Sequence, residues 1–156
     1  KFGRWFPVMM SEFSHPLLDL IAKDTRYTAE AYEFIRNALN YAHDELGLGK
    51  VDEEVVKASL ETEGDLPEEA HLTGQQLCEA IRQYSITQFG FMAKTVLNSW
   101  GLNETLDFGE VVYNLIDIGM MRKSDSDSKE DFAEVYDFDR VFVDDFDINK
   151  QDDLVI

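Results

Sequence analysis

The chain has 156 residues, 32 acidic and 14 basic, giving a formal net charge of −18, and 44% of its residues are hydrophobic. Length suits one domain, and the apolar content excludes a disordered chain. The acidity disfavours nucleic acid and anionic membrane surfaces, which are bound through Lys and Arg, and the lone Cys78 excludes an internal disulfide.

The charge is unevenly spread. Residues 50–71 hold eight acids and two bases, a net of −6, and residues 125–156 hold twelve acids and three bases, a net of −9. The rest of the chain is nearly neutral. Residues 1–9 read as an upstream extension or an expression remnant. Residues 10–143 read as a single helical domain with an acidic linker at 50–71, and 144–156 as an acidic tail. No apolar run approaches the roughly 18 residues that a membrane helix needs, so the expected location is cytoplasmic.

In chain order, His15–Lys23 is a short helix with Pro16 in its first turn and Leu17, Leu18, Leu20 and Ile21 as its apolar side. Thr28 is placed to cap a helix running to about Leu46. Ala31, Ile35, Ala38, Leu39, Ala42 and Leu46 form one apolar row and Tyr27, Phe34 and Tyr41 a second, which predicts a central helix with more than one neighbour. Gly47 and Gly49 stop it.

After the linker, Thr73 and Gln76 make a capping box flanked by the staple pair Leu72 and Leu77. The helix they open has Leu77, Ala80, Ile81, Tyr84, Ile86 and Phe89 facing inward and ends at Gly90. A further helix carries Phe89, Met92, Ala93, Val96, Leu97 and Trp100 on one side and stops at Gly101. The last begins near Thr105, with Phe108, Val111, Val112, Leu115 and Ile116 as its stripe, and ends at Gly119. Beyond it, Met120–Lys123 reads as a strand before the loop SDSDSKED, and residues 132–143 fit either a helix or strands. The expected fold is mainly α, a compact domain of five or six helices with a small winged-helix-like β-hairpin after residue 119.

A winged helix would use 105–118 as its recognition helix. That helix exposes Glu104, Asp107, Glu110, Asn114 and Asp117, a face that repels phosphate. Asp145, Asp147 and Asn149 match the first three alternating ligands of a calcium loop, but Lys150 stands at the turn position and Ile156 at the last ligand position. Asp125 and Asp127 begin a second such loop that fails at Lys129 and Glu130. His15, His43 and His71 form no HxxxH pair, and Glu68 with His71 is a single ExxH, short of a di-metal set. Cys78 has no basic sequence neighbour and reads as an inert thiol. Asp107 and Glu110 are one helical turn apart without a sign of acid–base tuning. GxxxxGK[ST], GxGxxG and GxSxG are absent, so no cofactor is implied. Phe89, Phe91, Met92 and Trp100 are an aromatic surface candidate, with core packing the simpler reading.

The stretches HPLLDLIAKD (15–24), YTAEAYEFIRNALNYA (27–42), HLTGQQLCEAIRQYSITQFG (71–90), MAKTVLNSWG (92–101) and DFGEVVYNLIDIGMMRKSDSDSKEDF (107–132) resemble an uncharacterised family of planctomycete and verrucomicrobial bacteria. The resemblance implies a single cytoplasmic bacterial domain and no activity, substrate or cofactor.

The functional expectation is a non-catalytic acidic adaptor or regulator that binds a protein with a basic surface. Its candidate contact residues are Asp125, Asp127, Glu130, Asp131, Asp137, Asp139, Asp144, Asp145 and Asp147. The alternatives are a winged-helix nucleic-acid regulator and a metal-dependent enzyme built from carboxylates, with no catalytic, cofactor or metal residue singled out for either.

Overall fold

Apolar side chains recurring at helical spacing fold the described residues, 15–47 and 72–146 of the computed structural model, into five α-helices. These are α1 (His15–Lys23), α2 (Ala29–Asp44), α3 (Gly74–Phe89), α4 (Ala93–Ser99) and α5 (Thr105–Asp117). A 3₁₀ turn, Gly90–Met92, joins α3 to α4. A second 3₁₀ turn, Lys129–Phe132, and a π-type turn, Arg140–Asp144, shape the C-terminal arm. The segment 1–9, the linker 50–71, His71 and Asp147 lie outside the described residues.

Helix α2 is central, packing on both α3 and α5, and it buries Ala31, Tyr32, Phe34, Ile35, Ala38 and Ala42. Its remaining face, Glu30, Glu33, Arg36, Asn37, Asn40 and Asp44, is exposed. Thr28 occupies the N-cap, but its side chain makes no capping bond. Its backbone N–H instead donates to the Trp100 carbonyl at 3.2 Å, tying the start of α2 to the end of α4. On α1, Leu17 is buried and Leu20 and Ile21 pack against the core, whereas Leu18, about 100° around the helix from its neighbour, faces solvent.

Helix α3 opens as its sequence prescribes. The Gln76 N–H donates to Thr73 Oγ1 at 3.1 Å and the Thr73 N–H to Gln76 Oε1 at 3.0 Å, so two end donors are satisfied reciprocally. At its far end a single continuous stripe over 89–100 does not form. Gly90 takes a positive φ of 52°, and the chain turns before α4 begins. That turn swings Met92 out to solvent while Ala93 and Leu97 remain buried.

Among the described residues there is no strand, so the predicted hairpin after 119 is replaced by turns. The N–H groups of Met120 and Met121 both donate to the Leu115 carbonyl, at 2.9 and 3.3 Å, and close the end of α5. Next, the Ser124 N–H donates to Asp127 Oδ2 at 2.9 Å and the Ser128 N–H to Asp131 Oδ2 at 3.1 Å. Ser and Asp side chains that satisfy the nearby backbone compete with a strand ladder. Spaced three apart, they win here.

The arm then folds back onto the helices through its aromatic residues. Phe132, Phe138 and Phe142 are buried. The Phe108 and Phe138 rings stack at 5.5 Å, and Phe138 meets Phe142 edge-on at 5.2 Å. Phe132 sits against two helix positions without side chains. A Cβ on Gly74 would lie 2.8 Å from Asp131 Cβ, and one on Gly109 would lie 2.9 Å from Phe132 Cβ. Glycine at these positions lets the 129–132 turn approach the α3 and α5 backbones. A second aromatic cluster, Phe34 with Tyr84, Phe89 and Trp100 at 5.1 to 5.6 Å, closes the other end of the bundle.

Candidate functional site

A buried hydroxyl is one of the anchors of the acidic arm. Thr105 Oγ1, at the start of α5, donates to the Phe132 carbonyl at 2.6 Å and accepts from the Val135 N–H at 3.1 Å. This brings Glu134 to the same depression as Glu104, thirty residues away in sequence. Asn103–Leu106 and Ala133–Asp145 together wall an open depression of about 1060 Å³. Its charged lining is Glu104, Glu134, Asp137 and Asp145, with Arg140 as its one cation. Glu134 has φ of 49°, a left-handed conformation uncommon outside glycine and asparagine.

Of the nine acids singled out from sequence, eight are described. Asp125, Glu130, Asp137, Asp139, Asp144 and Asp145 are exposed and Asp127 and Asp131 half-buried. The structure does not gather them into one patch. Asp137 and Asp145 line the depression. Asp127 and Asp131 face a different groove, and their carboxylates hold the Ser124 and Ser128 backbone. Asp137 Oδ1 accepts from the Arg140 N–H at 3.1 Å. Asp139 pairs with Lys94, and Asp145 with Arg140 Nε at 3.8 Å. The Ser128 hydroxyl donates to Glu130 and holds its carboxyl below the ordinary carboxylate range. From sequence, Glu104 stands out only as part of the polar face of 105–118, and Glu134 does not stand out. No local spacing pairs them; long-range contacts such as the Thr105 anchor do.

The groove that Asp127 and Asp131 face, about 370 Å³, lies between α2, the start of α3 and the end of α5, with Leu39, Leu77, Val112 and Ile116 along it. Among the described residues no group of three His, Cys, Asp or Glu side chains is placed to hold a metal ion. Asp147 and Asn149, from the calcium-like pattern, lie outside them.

The polar side of α5 is not the solvent face that the recognition-helix pattern requires. Asp107 accepts from the Tyr27 hydroxyl at 2.7 Å. Glu110 bridges Arg26 and Lys129, each at 3.3 Å. Asn114 donates to Asp24 at 3.0 Å and to the Tyr32 hydroxyl at 3.1 Å. Three of the five residues expected to be exposed therefore join α5 to the turn between α1 and α2. The Arg26 guanidinium holds the Asp24 carboxyl well below its usual range, and burial pushes the Tyr27 hydroxyl well above its own. Asp107 and Glu110, the one-turn carboxylate pair, are structural.

Cys78 is fully buried on α3, and desolvation pushes its thiol up to about 12. Its carbonyl accepts from the Tyr136 hydroxyl at 2.8 Å, so this part of α3 serves as an anchor for the arm. Phe89 and Trp100 belong to the second aromatic cluster, while Phe91 and Met92 face solvent. The aromatic surface candidate thus divides between core and surface.

No helix among the described residues is long and apolar enough to cross a membrane. No family model, curated protein or solved structure matches the chain, so the described residues speak for themselves: a mainly helical fold that presents an acidic depression.

Proposed function

We propose that this protein is a non-catalytic acidic adaptor or regulator whose partner offers a basic segment. The observation that supports this is the depression between the start of α5 and residues 133–145, lined by four carboxylates and a single guanidinium. Its walls are anchored by the Thr105 hydroxyl and by buried Phe138, so the backbone that carries the carboxylates is set before a partner arrives. Pre-ordering reduces the entropy lost on association, and complementary charge speeds encounter and selects against acidic partners. Asp125, Glu130, Asp139 and Asp144 extend the same sign of charge along the arm, and the cytoplasm is the proposed setting.

Affinity capture from the native cell, identified by mass spectrometry, tests this at salt of about 50 and about 500 mM, where screening lengths differ severalfold. The comparison protein is a Glu134→Gln, Asp144→Asn, Asp145→Asn variant, which removes exposed charge and leaves the aromatic anchors in place. A basic partner retained at low salt, released at high salt and lost with the variant is the expected result. No salt-sensitive partner, or equal capture by the variant, rejects the proposal.

A further inference from the structure

Among the described residues four large apolar side chains are notably exposed: Phe91 at 63%, Met92 at 53%, Val143 at 41% and Leu18 at 40%. Leu18 stands alone on α1. The other three belong to two segments that meet. Phe91 and Met92 occupy the turn between α3 and α4, and Val143 lies in the Arg140–Asp144 turn, which packs on both of those helices. Phe146 links the segments, its ring edge-on to Phe91 at 5.7 Å. Phe146 follows Val143 by three residues, just past the end of that turn.

Acids border this apolar surface. Residues 137–146 carry Asp137, Asp139, Asp144 and Asp145 against Arg140 alone. Lys94, two residues after Met92, is engaged by Asp139, and Arg140 by Asp145. Asp144, next to Val143, meets no cation among the described residues.

We infer that Phe91, Met92, Val143 and Phe146 form a docking surface for an amphipathic helix of a partner protein, with Lys and Arg flanking its apolar stripe. This inference rests on the acidic-adaptor reading and names the form that the basic segment takes. Burying aromatic and Met anchors supplies affinity, and the bordering aspartates supply selection for cations. A helix is the form assigned, because it sets an apolar stripe and flanking cations on one face, matching an apolar surface with an acidic border. A second copy of this chain is disfavoured as occupant, since it would bring another −18 of charge to an acidic border.

The experiment is fluorescence anisotropy of the full chain with three labelled probes at low salt. These are a peptide of about 14 residues made only of Leu and Lys at helical spacing, the same composition scrambled, and oligolysine. The helical-spaced peptide is expected to bind about tenfold or more tighter than the scrambled one, a difference of roughly 1.4 kcal/mol. Phe91→Ser with Met92→Ser is expected to abolish that advantage and leave oligolysine binding unchanged. Both side chains are largely in water, so the fold tolerates the change, which circular dichroism checks; Val143→Ser is the independent second variant. Equal binding of spaced and scrambled peptides overturns the inference, as does an equal loss with Leu18→Ser. Deleting 1–14 or 147–156 also overturns it if the peptide then binds about tenfold tighter, because the surface would belong to that segment. Failure of oligolysine as well rejects the adaptor reading itself, which separates the two outcomes.

Discussion

Replacing Thr105 by Val tests whether one hydroxyl holds the acidic arm. The substitution keeps side-chain shape and removes both bonds of a buried oxygen, the donation to the Phe132 carbonyl and the acceptance from the Val135 N–H. An orphaned buried polar group costs about 1–3 kcal/mol. Val135 is half-buried and its N–H can recruit water, whereas the Phe132 carbonyl belongs to a buried residue. The expected loss is therefore about 2–4 kcal/mol, a fall in Tm of roughly 5–12 °C for a domain of this size. Thr105→Ser keeps the hydroxyl and loses one methyl, for about 1 kcal/mol. Urea unfolding gives the stabilities, and amide exchange at Val135 reports whether the arm opens locally. Equal losses for the Val and Ser variants, or unchanged exchange at Val135 with Val, would refute the anchor.

Three further outcomes follow from the packing and charge described above. Gly109→Ala gains up to about 1 kcal/mol of helix propensity but sets a Cβ 2.9 Å from Phe132; net destabilisation of about 1–2 kcal/mol is expected by urea unfolding, and a stabilised variant would show that the Phe132 seat yields. Asp24→Asn should cost about 1 kcal/mol at neutral pH. Because Arg26 lowers the folded-state pKa of Asp24, its contribution is complete above about pH 5 and fades as pH falls, so the gap between wild-type and variant stabilities should narrow steadily through the acid range; a constant gap would assign the loss to packing. Native Cys78, buried and with its thiol pushed up to about 12, should react with a thiol reagent only through unfolding, at a rate that rises with urea, and fast labelling without denaturant would contradict its burial.

What the sequence made legible was periodic or short in range. The stripe through Phe108, Val111 and Leu115 located the core face of α5, and Thr73 with Gln76 located the start of α3. What it hid depends on contacts distant in the chain. Met92 satisfies helical spacing, yet Gly90 turns the backbone before the stripe can continue. Asp107, Glu110 and Asn114 look like a solvated face until Arg26, Tyr27 and Asp24 arrive from another helix pair. Residues 132–143 had mixed periodicity because their aromatic rings, and not a regular backbone ladder, fix them. The sign and concentration of charge in the arm could be read directly. The depression could not, since Glu104 and Glu134 come to line it through long-range contacts such as the Thr105 anchor.

The interleaving of rings and carboxylates in the arm has a thermodynamic corollary. Between Asp125 and Asp145 nine carboxylates stand against Lys129 and Arg140, and Phe132, Phe138 and Phe142 keep the segment folded onto the helices despite that crowding. Mutual repulsion raises the free energy of the folded arm, and mobile ions reduce it. Added salt should therefore raise the melting temperature of the isolated protein while it loosens a contact with a cationic partner. The protein released from such a partner at high ionic strength would be the intact fold, tightened by the same ions that displaced its partner.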